Sequence, residues 1–187
     1  MSDLGRGSQD DRGLGDRVLG DRVLGSLPDV TFADGSRAAV ELVLSDVPAP
    51  DEEVFAALVF LRDRTGRFAV VYSPRREEWA SPGGGREEGE TARQTVVREV
   101  LEETGLVLDG QALRPCGVER FTPLTPGRWP LGGGCLQVFH VRVDADAPSL
   151  RGSTDDVTGW RWVTFGELEE LCGASFWWPM AAALFRP

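Results

Sequence analysis

Three glutamates, Glu99, Glu102 and Glu103, have the spacing of side chains that share one face of an α-helix. Folding alone does not favour this arrangement. Like charges four residues apart repel each other, and negative charge near the C-terminal end of a helix opposes the helix dipole. We therefore expect a cation beside these glutamates. The alternative is a solvated acidic helix face that binds nothing.

The chemistry that such a site could perform is the attack of water on a phosphate group, assisted by a metal ion. Carboxylates, together with the backbone carbonyls of the glycine-rich turn at 81–85, form an all-oxygen site, which suits Mg²⁺ or Mn²⁺ better than zinc. The ion would neutralise phosphate charge and lower the pKa of a bound water. Arg98, four residues before Glu102, is expected to hold the acidic cluster by charge-assisted hydrogen bonds. Glu90 lies at the predicted helix start, where a carboxylate is favourable.

Other side chains are candidates for substrate contact. Arg75 and Arg76 precede the glycine-rich turn, and they either bind phosphate or pair with Glu77 and Glu78 in a solvated loop. Trp129 lies in a Pro- and Gly-rich loop without an apolar period, which makes it the best stacking candidate among the tryptophans. The alternative for each tryptophan is ordinary packing.

The glutamates require a helix, predicted from about Thr91 to Gly105, which is a good residue to follow a helix end. A second face of this helix carries the apolar residues needed to dock on a core: Val96, Val97, Val100 and Leu101.

The patterns on either side of the helix predict strands. Strand-like runs occupy 27–44 (two runs around Asp34-Gly35), 54–61, 67–72, 107–121, 136–143 and 159–164. The runs 54–61 and 67–72 are expected to form an antiparallel pair buried on both faces. Residues 73–80 and 144–158 are predicted loops, 81–85 a turn, and 165–171 and 176–185 helices. Strands around one central helix, with more helix at the end, favour a mixed sheet covered on both faces.

The length of 187 residues suits one domain. Residues 1–25 are rich in Gly, Asp, Arg and Ser and are predicted to be a flexible tail. Residues 26–187 are predicted to be a single domain that begins with a hairpin and connector at 26–50.

The composition of the chain limits which partners it can bind and in which cellular compartment it is expected. The formal net charge of −10 argues against a broad surface for nucleic acid. No apolar run approaches the roughly 20 residues that span a bilayer. Three widely spaced cysteines form neither a zinc signature nor a disulfide framework, which favours a reducing cytoplasm.

The stretch from Gly84 to Leu106 resembles the Nudix box, G-x5-E-x7-R-E-U-x-E-E-x-G-U with U aliphatic, at every position. Its seven fixed residues, at roughly 6–7% usage each, would match by chance about once in 10⁸ windows. The lead-in Trp79–Gly83 is also similar to the strand and Pro-Gly-Gly turn that precede the box in that family.

The resemblance implies an α/β fold of the α+β type, in which a mixed β-sheet is sandwiched between α-helices. It also implies hydrolysis of a nucleoside diphosphate linked to another moiety by water attack at phosphorus with Mg²⁺ or Mn²⁺. A modified nucleoside triphosphate, ADP-ribose and a nucleotide sugar remain open as substrates. The alternative is a non-catalytic Nudix-fold module that binds a nucleotide or regulates a partner. Family members are often dimers, and the hairpin at 27–44 and the Trp-rich C-terminus are candidate dimer surfaces.

The resemblance also assigns roles by position. Glu99 and Glu103 would be the principal metal ligands, Glu102 a further ligand directly or through water, and the Gly83 carbonyl would complete the shell. The remaining box residues would be structural: Gly84, Glu90, Arg98 and Gly105. The general base stays open among Glu99, Glu119, Asp155 and Asp156. We favour the pair Asp155-Asp156, because in the family an acidic residue often precedes the strand that here contains Trp160.

Overall fold

The computed structural model describes residues 20–32, 35–125 and 134–187. Its strands are β1 (Arg22–Thr31), β2 (Arg37–Leu44), β3 (Val54–Arg62), β4 (Phe68–Ser73), β5 (Glu78–Ala80), β6 (Gly83–Gly85), β7 (Arg114–Pro123), β8 (Gly134–Arg142) and β9 (Gly159–Val163). Its helices are α1 (Ala92–Thr104), α2 (Phe165–Cys172) and α3 (Trp178–Phe185). Within these ranges, none of the helices has the length and apolar character needed to cross a bilayer.

The strands form one mixed sheet in the order β1-β2-β7-β8-β3-β4-β5, with β6 also beside β3 and β9 also beside β4. The pair β3 and β8 is parallel. The neighbouring pairs β2–β7 and β7–β8 are antiparallel. The expected α+β fold with a mixed sheet is therefore confirmed.

Helices cover both faces of this sheet. On one face, Val96 and Val100 of α1 pack with Val59 and Leu61 of β3 in a buried cluster. On the other, α2 and α3 pack over a cluster that includes Phe60 of β3 and the buried residues Leu168, Trp177 and Met180. The inner strands are buried on both faces because each face meets helices, as their continuous apolar runs predict.

On the side of β3 that faces the box, two different strands pair with its two ends. Its first half pairs with β6, through Ala56↔Gly85 to Leu58↔Gly83. It meets β4 at the far end, at the register pair Arg62↔Phe68. The predicted antiparallel pair of 54–61 and 67–72 therefore has the right direction, but β4 pairs mainly with β9 and β5. The glycine strand β6 occupies the space that this divergence leaves.

Three local predictions are corrected by the structure. Residues 73–80 are not entirely a loop, because β4 extends to Ser73 and β5 begins at Glu78. The predicted turn at 81–85 contains the strand β6, whose pairing with β3 is set by distant sequence. β1 begins at Arg22, so residues 22–25 belong to the sheet and not to the predicted tail. The predicted turn residue Asp34, the candidate Trp129 and residues 1–19 lie outside the described residues.

The ends of α1 follow the predicted signals. Thr91 and Gln94 form a reciprocal capping box at the N-terminus, in which each side chain bonds the backbone of the other residue. Gly105 adopts the left-handed conformation at the C-terminus, with φ 74°. The predicted limits, from about Thr91 to Gly105, are confirmed.

Candidate active site

The carboxylate of Glu99 lies against the backbone of β6. A Cβ atom added to Gly84 would stand 2.3 Å from Glu99 Oε1 and 2.5 Å from the carboxyl carbon. Only a residue without a side chain permits this approach. Glycine at position 84 thus allows the first glutamate of the helix to reach the glycine strand.

Glu103 reaches the same strand one residue earlier. The Gly83 N–H donates a 2.9 Å hydrogen bond to Glu103 Oε2. The glutamate is only 7% exposed. The pKa of Glu103 is raised to about 7. Burial is the largest cause and the charges of Glu99 and Asp156 add to the rise, while the Gly83 N–H and the charge of Arg76 oppose it.

The backbone of β6 presents polar groups toward these glutamates. The bonds Val59 N–Pro82 O and Arg86 N–Phe55 O flank the pairing of β3 with β6. Antiparallel pairing alternates along a strand, so the N–H and C=O of Gly83 point away from β3. The bond from the Gly83 N–H to Glu103 agrees with this direction. The Gly83 carbonyl therefore lies on the same outer edge of β6.

Arg98 connects the acidic side chains of the box. Its Nε and Nη2 donate to the two carboxylate oxygens of Glu90, at 2.8 and 3.2 Å. Its Nη1 donates to Glu99 Oε1 at 2.9 Å and to Glu102 Oε2 at 3.2 Å. Its Nη2 also bonds the Gly85 carbonyl at 2.8 Å. A single guanidinium thus fixes the glycine strand and the helix relative to each other.

Glu90 is the most firmly held of these carboxylates. The hydrogen bonds from Arg98 lower the pKa of Glu90 to about 2, and bonds from the Glu87 N–H and the Thr95 hydroxyl add to the effect. Every one of these partners is a donor to the charged form. The position suits a structural residue that stays ionised.

The chain that precedes β9 caps the C-terminal end of α1. The Arg151 and Ser153 N–H groups donate to the carbonyls of Thr104 and Glu102, both at 2.7 Å. The Trp160 indole N–H donates to the Glu103 carbonyl. These donors satisfy last-turn carbonyls that have no partner within the helix.

The contact of this segment with the end of α1 was not predicted from the sequence. The one signal for it in the sequence is Gly152. A Cβ atom at Gly152 would stand 2.5 Å from the Glu103 carbonyl oxygen. Trp160, weighed as a stacking or packing residue, is a hydrogen-bond donor to the box helix. The contact brings the segment that carries Asp155 and Asp156 next to the glutamates.

The two aspartates and the two arginines differ in their relation to Glu103. Asp155 and Asp156 are both exposed. The charge of Asp156 contributes to the raised pKa of Glu103. Arg75 and Arg76 are also exposed, and Arg76 forms a 2.9 Å ion pair with Glu78. Asp156 and Arg76 therefore lie within electrostatic reach of Glu103.

The comparisons with known proteins address the family. A family model described as the NUDIX domain matches residues 53–184 of the 187. The chain belongs to the Nudix family. The Nudix box identified in the sequence runs from β6 through α1 to the residues just beyond it.

Relatives and solved structures agree with this membership. The RNA pyrophosphohydrolase of Vibrio atlanticus (strain LGP32) is 33% identical over 97 residues, which are 46% of this chain and 56% of that protein. That of Serratia proteamaculans (strain 568) is 32% identical over 119 residues, 57% of this chain and 67% of that protein. The chain thus spans about half the length of the Vibrio relative.

A solved MutT structure, from work on Aliivibrio salmonicida and Vibrio cholerae, matches the fold. Its TM-score is 0.52 at 14% identity, and the match covers 73% of this chain and 98% of that one.

The carboxylates of this Nudix box suit a hard cation. Across the described ranges, no group of three or more His, Cys, Asp and Glu side chains is already arranged to hold a metal ion. Glu99 and Glu103 are nevertheless both drawn against the glycine strand, and burial raises the pKa of each. The buried Glu103 and the partly buried Glu99, whose charge raises the pKa of Glu103, lie beside a backbone carbonyl and are oxygen donors of the kind that Mg²⁺ or Mn²⁺ prefers. Glu102, with 44% of its side chain exposed against 14% for Glu99, lies further out.

The remaining candidate base, Glu119, is not part of this group. It lies on β7 and is buried in the sheet. The sequence-based option of Glu119 as a base at the box therefore has no support in the geometry.

Proposed function

We propose that this chain is a metal-dependent pyrophosphohydrolase that cleaves a nucleoside diphosphate linked to another moiety, by attack of water at phosphorus. The observation that carries the proposal is the pairing of Glu99 and Glu103 against the backbone of Gly83 and Gly84. This arrangement places a buried and a partly buried carboxylate beside the outer edge of β6. Membership of the Nudix family agrees with it.

Glu99 and Glu103, with the Gly83 carbonyl, would hold Mg²⁺ or Mn²⁺, and Glu102 would act as an outer ligand. When bound, the metal supplies charge for the substrate phosphates and acidity for a coordinated water. Arg98 keeps the glutamates oriented through its bonds to Glu99 and Glu102. Glu90 in turn fixes Arg98.

We assign the role of general base to Asp156 in preference to Asp155. Both residues are exposed to solvent, from which the attacking water comes. The charge of Asp156 reaches Glu103. The backbone bonds of Arg151 and Ser153 to the end of α1 hold this segment beside the glutamates. A carboxylate so placed can accept a proton from the attacking water.

The box determines the reaction, whereas the substrate class depends on the surface around it. The matched Vibrio and Serratia relatives are named for action on RNA. The net charge of −10 favours a small nucleotide over a long RNA chain. A modified nucleoside triphosphate, ADP-ribose and a nucleotide sugar are the candidates that we put forward, acted on in the cytoplasm by a chain that functions alone or as a homodimer.

A substrate panel tests the proposal. The protein is incubated with nucleoside triphosphates, ADP-ribose and nucleotide sugars in Mg²⁺, Mn²⁺ or EDTA. Released phosphate, pyrophosphate and nucleoside monophosphate are measured. We expect cleavage of a phosphoric anhydride in at least one substrate with either metal and none in EDTA. Nucleotide binding without cleavage across the panel would instead support the non-catalytic module.

A further inference from the structure

Glu119, in the middle of β7, is a buried acid without a partner. The residue is 4% exposed. Its side chain makes no hydrogen bond or ion pair with the described residues. Burial alone raises the pKa of Glu119 to about 7. A buried polar group without a partner is unfavourable for folding, which makes a functional role the better explanation.

The sheet register connects Glu119 to the box. Residues directly opposite each other on neighbouring strands share a face. Gly85 lies opposite Ala56, Ala56 opposite Leu136, and Leu136 opposite Glu119. These four residues thus form one row across β6, β3, β8 and β7. At about 4.8 Å per strand, the row places Glu119 about 14 Å from Gly85.

The first residue of this row belongs to the candidate catalytic centre. The Gly85 carbonyl accepts a hydrogen bond from Arg98. Between Gly85 and Glu119 the row contains only Ala56 and Leu136, which present apolar side chains. The row therefore connects the box to the buried carboxyl group through apolar side chains, with open space beside Gly85.

Aromatic side chains lie beside Glu119. Phe121 is two residues further along β7, on the same face as Glu119, and is only partly buried. Its ring packs edge-on against Phe55, with ring centroids 5.2 Å apart. Phe32 is tilted against Phe121 at 6.1 Å. Partly exposed aromatic rings are a suitable surface for a planar base.

We propose that Glu119 is a specificity-determining residue that binds the Watson–Crick edge of a guanine base. The proposal rests on the proposed function, since the phosphates of the same nucleotide would lie at the box. It identifies the substrate class of the enzyme as guanine nucleotides. The base would stack beside Phe121 and Phe55, and its edge would meet the carboxylate.

Guanine is favoured by the inventory of donors and acceptors. An ionised carboxylate only accepts hydrogen bonds. The guanine edge presents two adjacent donors, the N1–H and the N2 amino group, one for each carboxylate oxygen. The adenine edge presents a donor beside an acceptor, so one oxygen of the carboxylate would face a lone pair. Two charge-assisted bonds to guanine are the better compensation for a buried negative charge.

The test is a change of base preference in Glu119→Gln. The amide has the same shape, but it presents one acceptor and one donor, which matches adenine. Two quantities are measured with Mg²⁺ present: kcat/KM for GTP and ATP, and the dissociation constants of GMP and AMP. Glu41→Gln is the control, because Glu41 lies opposite Arg120 and therefore on the other face of the sheet.

We expect the natural protein to prefer guanine over adenine, and we expect Glu119→Gln to lower that ratio by about 10- to 100-fold. Glu41→Gln should leave the ratio unchanged. A ratio near one in the natural protein, or an unchanged ratio in Glu119→Gln, would overturn the proposal. If Glu119→Gln fails to fold, Glu119→Leu removes the buried charge with an apolar side chain of similar size and is expected to lose the preference likewise.

The two proposals fail in different ways. If no substrate of the panel is cleaved but the GMP and AMP affinities shift as expected, the base site stands and the proposed hydrolysis is wrong. If cleavage occurs with the same base ratio in Glu119→Gln as in the natural protein, the hydrolysis stands and the base site is wrong.

Discussion

The carboxylate of Glu99 lies so close to Gly84 that a Cβ atom at position 84 would stand 2.3 Å from its Oε1. The contact joins the two halves of the box, the glycine strand and the acidic helix. An alanine at position 84 must displace either the carboxylate or the strand. The neighbouring Gly85 has open space where its Cβ would lie.

The first prediction follows from this contrast. Gly84→Ala should lower kcat/KM by about 10²-fold, because a displacement of about 1 Å at a catalytic group has an effect of that size. Gly85→Ala should retain most of the activity. The measurement is kcat/KM with Mg²⁺ on the best substrate of the panel. Equal losses in the two variants would show that the contact with Glu99 does not matter.

The second prediction concerns Arg98, which bonds Glu90, Glu99, Glu102 and the Gly85 carbonyl. Arg98→Gln should lower the free energy of unfolding near neutral pH by roughly 1.5–3 kcal/mol, because charged groups lose their hydrogen bonds. Arg75→Gln, a change at an exposed arginine, should have little effect. Urea unfolding measures both.

At acid pH, the difference in the free energy of unfolding between Arg98→Gln and the natural protein should become smaller. Arg98 is the largest cause of the lowered pKa of Glu90, which falls from 4.5 to about 2. A lowered pKa stabilises the folded state above the unfolded-state pKa, and this stabilisation is lost as the pH falls through the folded-state pKa. The difference should therefore be full above about pH 4.5 and shrink toward pH 2. A difference that stays constant over this range would contradict the role of Glu90.

The third prediction concerns the segment that caps α1. A Cβ at Gly152 would stand 2.5 Å from the Glu103 carbonyl oxygen and 2.8 Å from that of Glu102. Gly152→Ala should lower the free energy of unfolding by about 1–3 kcal/mol through overpacking. It should also lower kcat, because Asp156 shifts away from the glutamates. Gly166→Ala, where the added Cβ meets open space inside α2, is the control and should lower neither quantity.

The sequence predicts the box helix to within a residue because its signals are local. The apolar stripe, the capping threonine and Gly105 all lie inside or next to Ala92–Thr104. Arg98 is predicted to hold the acidic cluster for the same reason, since three of its side-chain partners are within eight residues.

What the sequence did not predict depends on distant residues. Three consecutive glycines have no strand preference of their own, and β6 forms because β4 diverges from β3 and leaves an edge to pair with. The cap on α1 joins Glu103 to Trp160, 57 residues away. The lack of a side-chain partner for Glu119 could not be predicted either, because the sequence of β7 does not show which residues of β2 and β8 lie opposite it.

The fourth prediction is a pH dependence of stability that belongs to Glu119. Its pKa is raised by burial from 4.5 to about 7. A carboxyl group with a raised folded-state pKa contributes stability that is complete below the unfolded-state pKa and lost as the pH rises through the folded-state pKa. Compared with Glu119→Gln, the natural protein should lose stability between about pH 4.5 and pH 7.

Unfolding in urea across this range measures the difference between the two proteins, and the comparison cancels the contribution of Glu103. Glu41→Gln is again the matched control and should follow the natural protein. If natural protein and Glu119→Gln show parallel pH profiles, Glu119 ionises freely and is not confined as the structure has it.

The central claim is that Glu103, bonded to the Gly83 N–H and buried beside Glu99, is part of a metal centre that drives hydrolysis. The most direct measurement is Mg²⁺-dependent turnover of the best substrate by Glu103→Gln, with Glu88→Gln, an exposed change within the same box, as control. We predict a loss of about 10³-fold or more for Glu103→Gln, with unfolding unimpaired, and near-full activity for Glu88→Gln. Full Mg²⁺-dependent activity in Glu103→Gln would contradict the account.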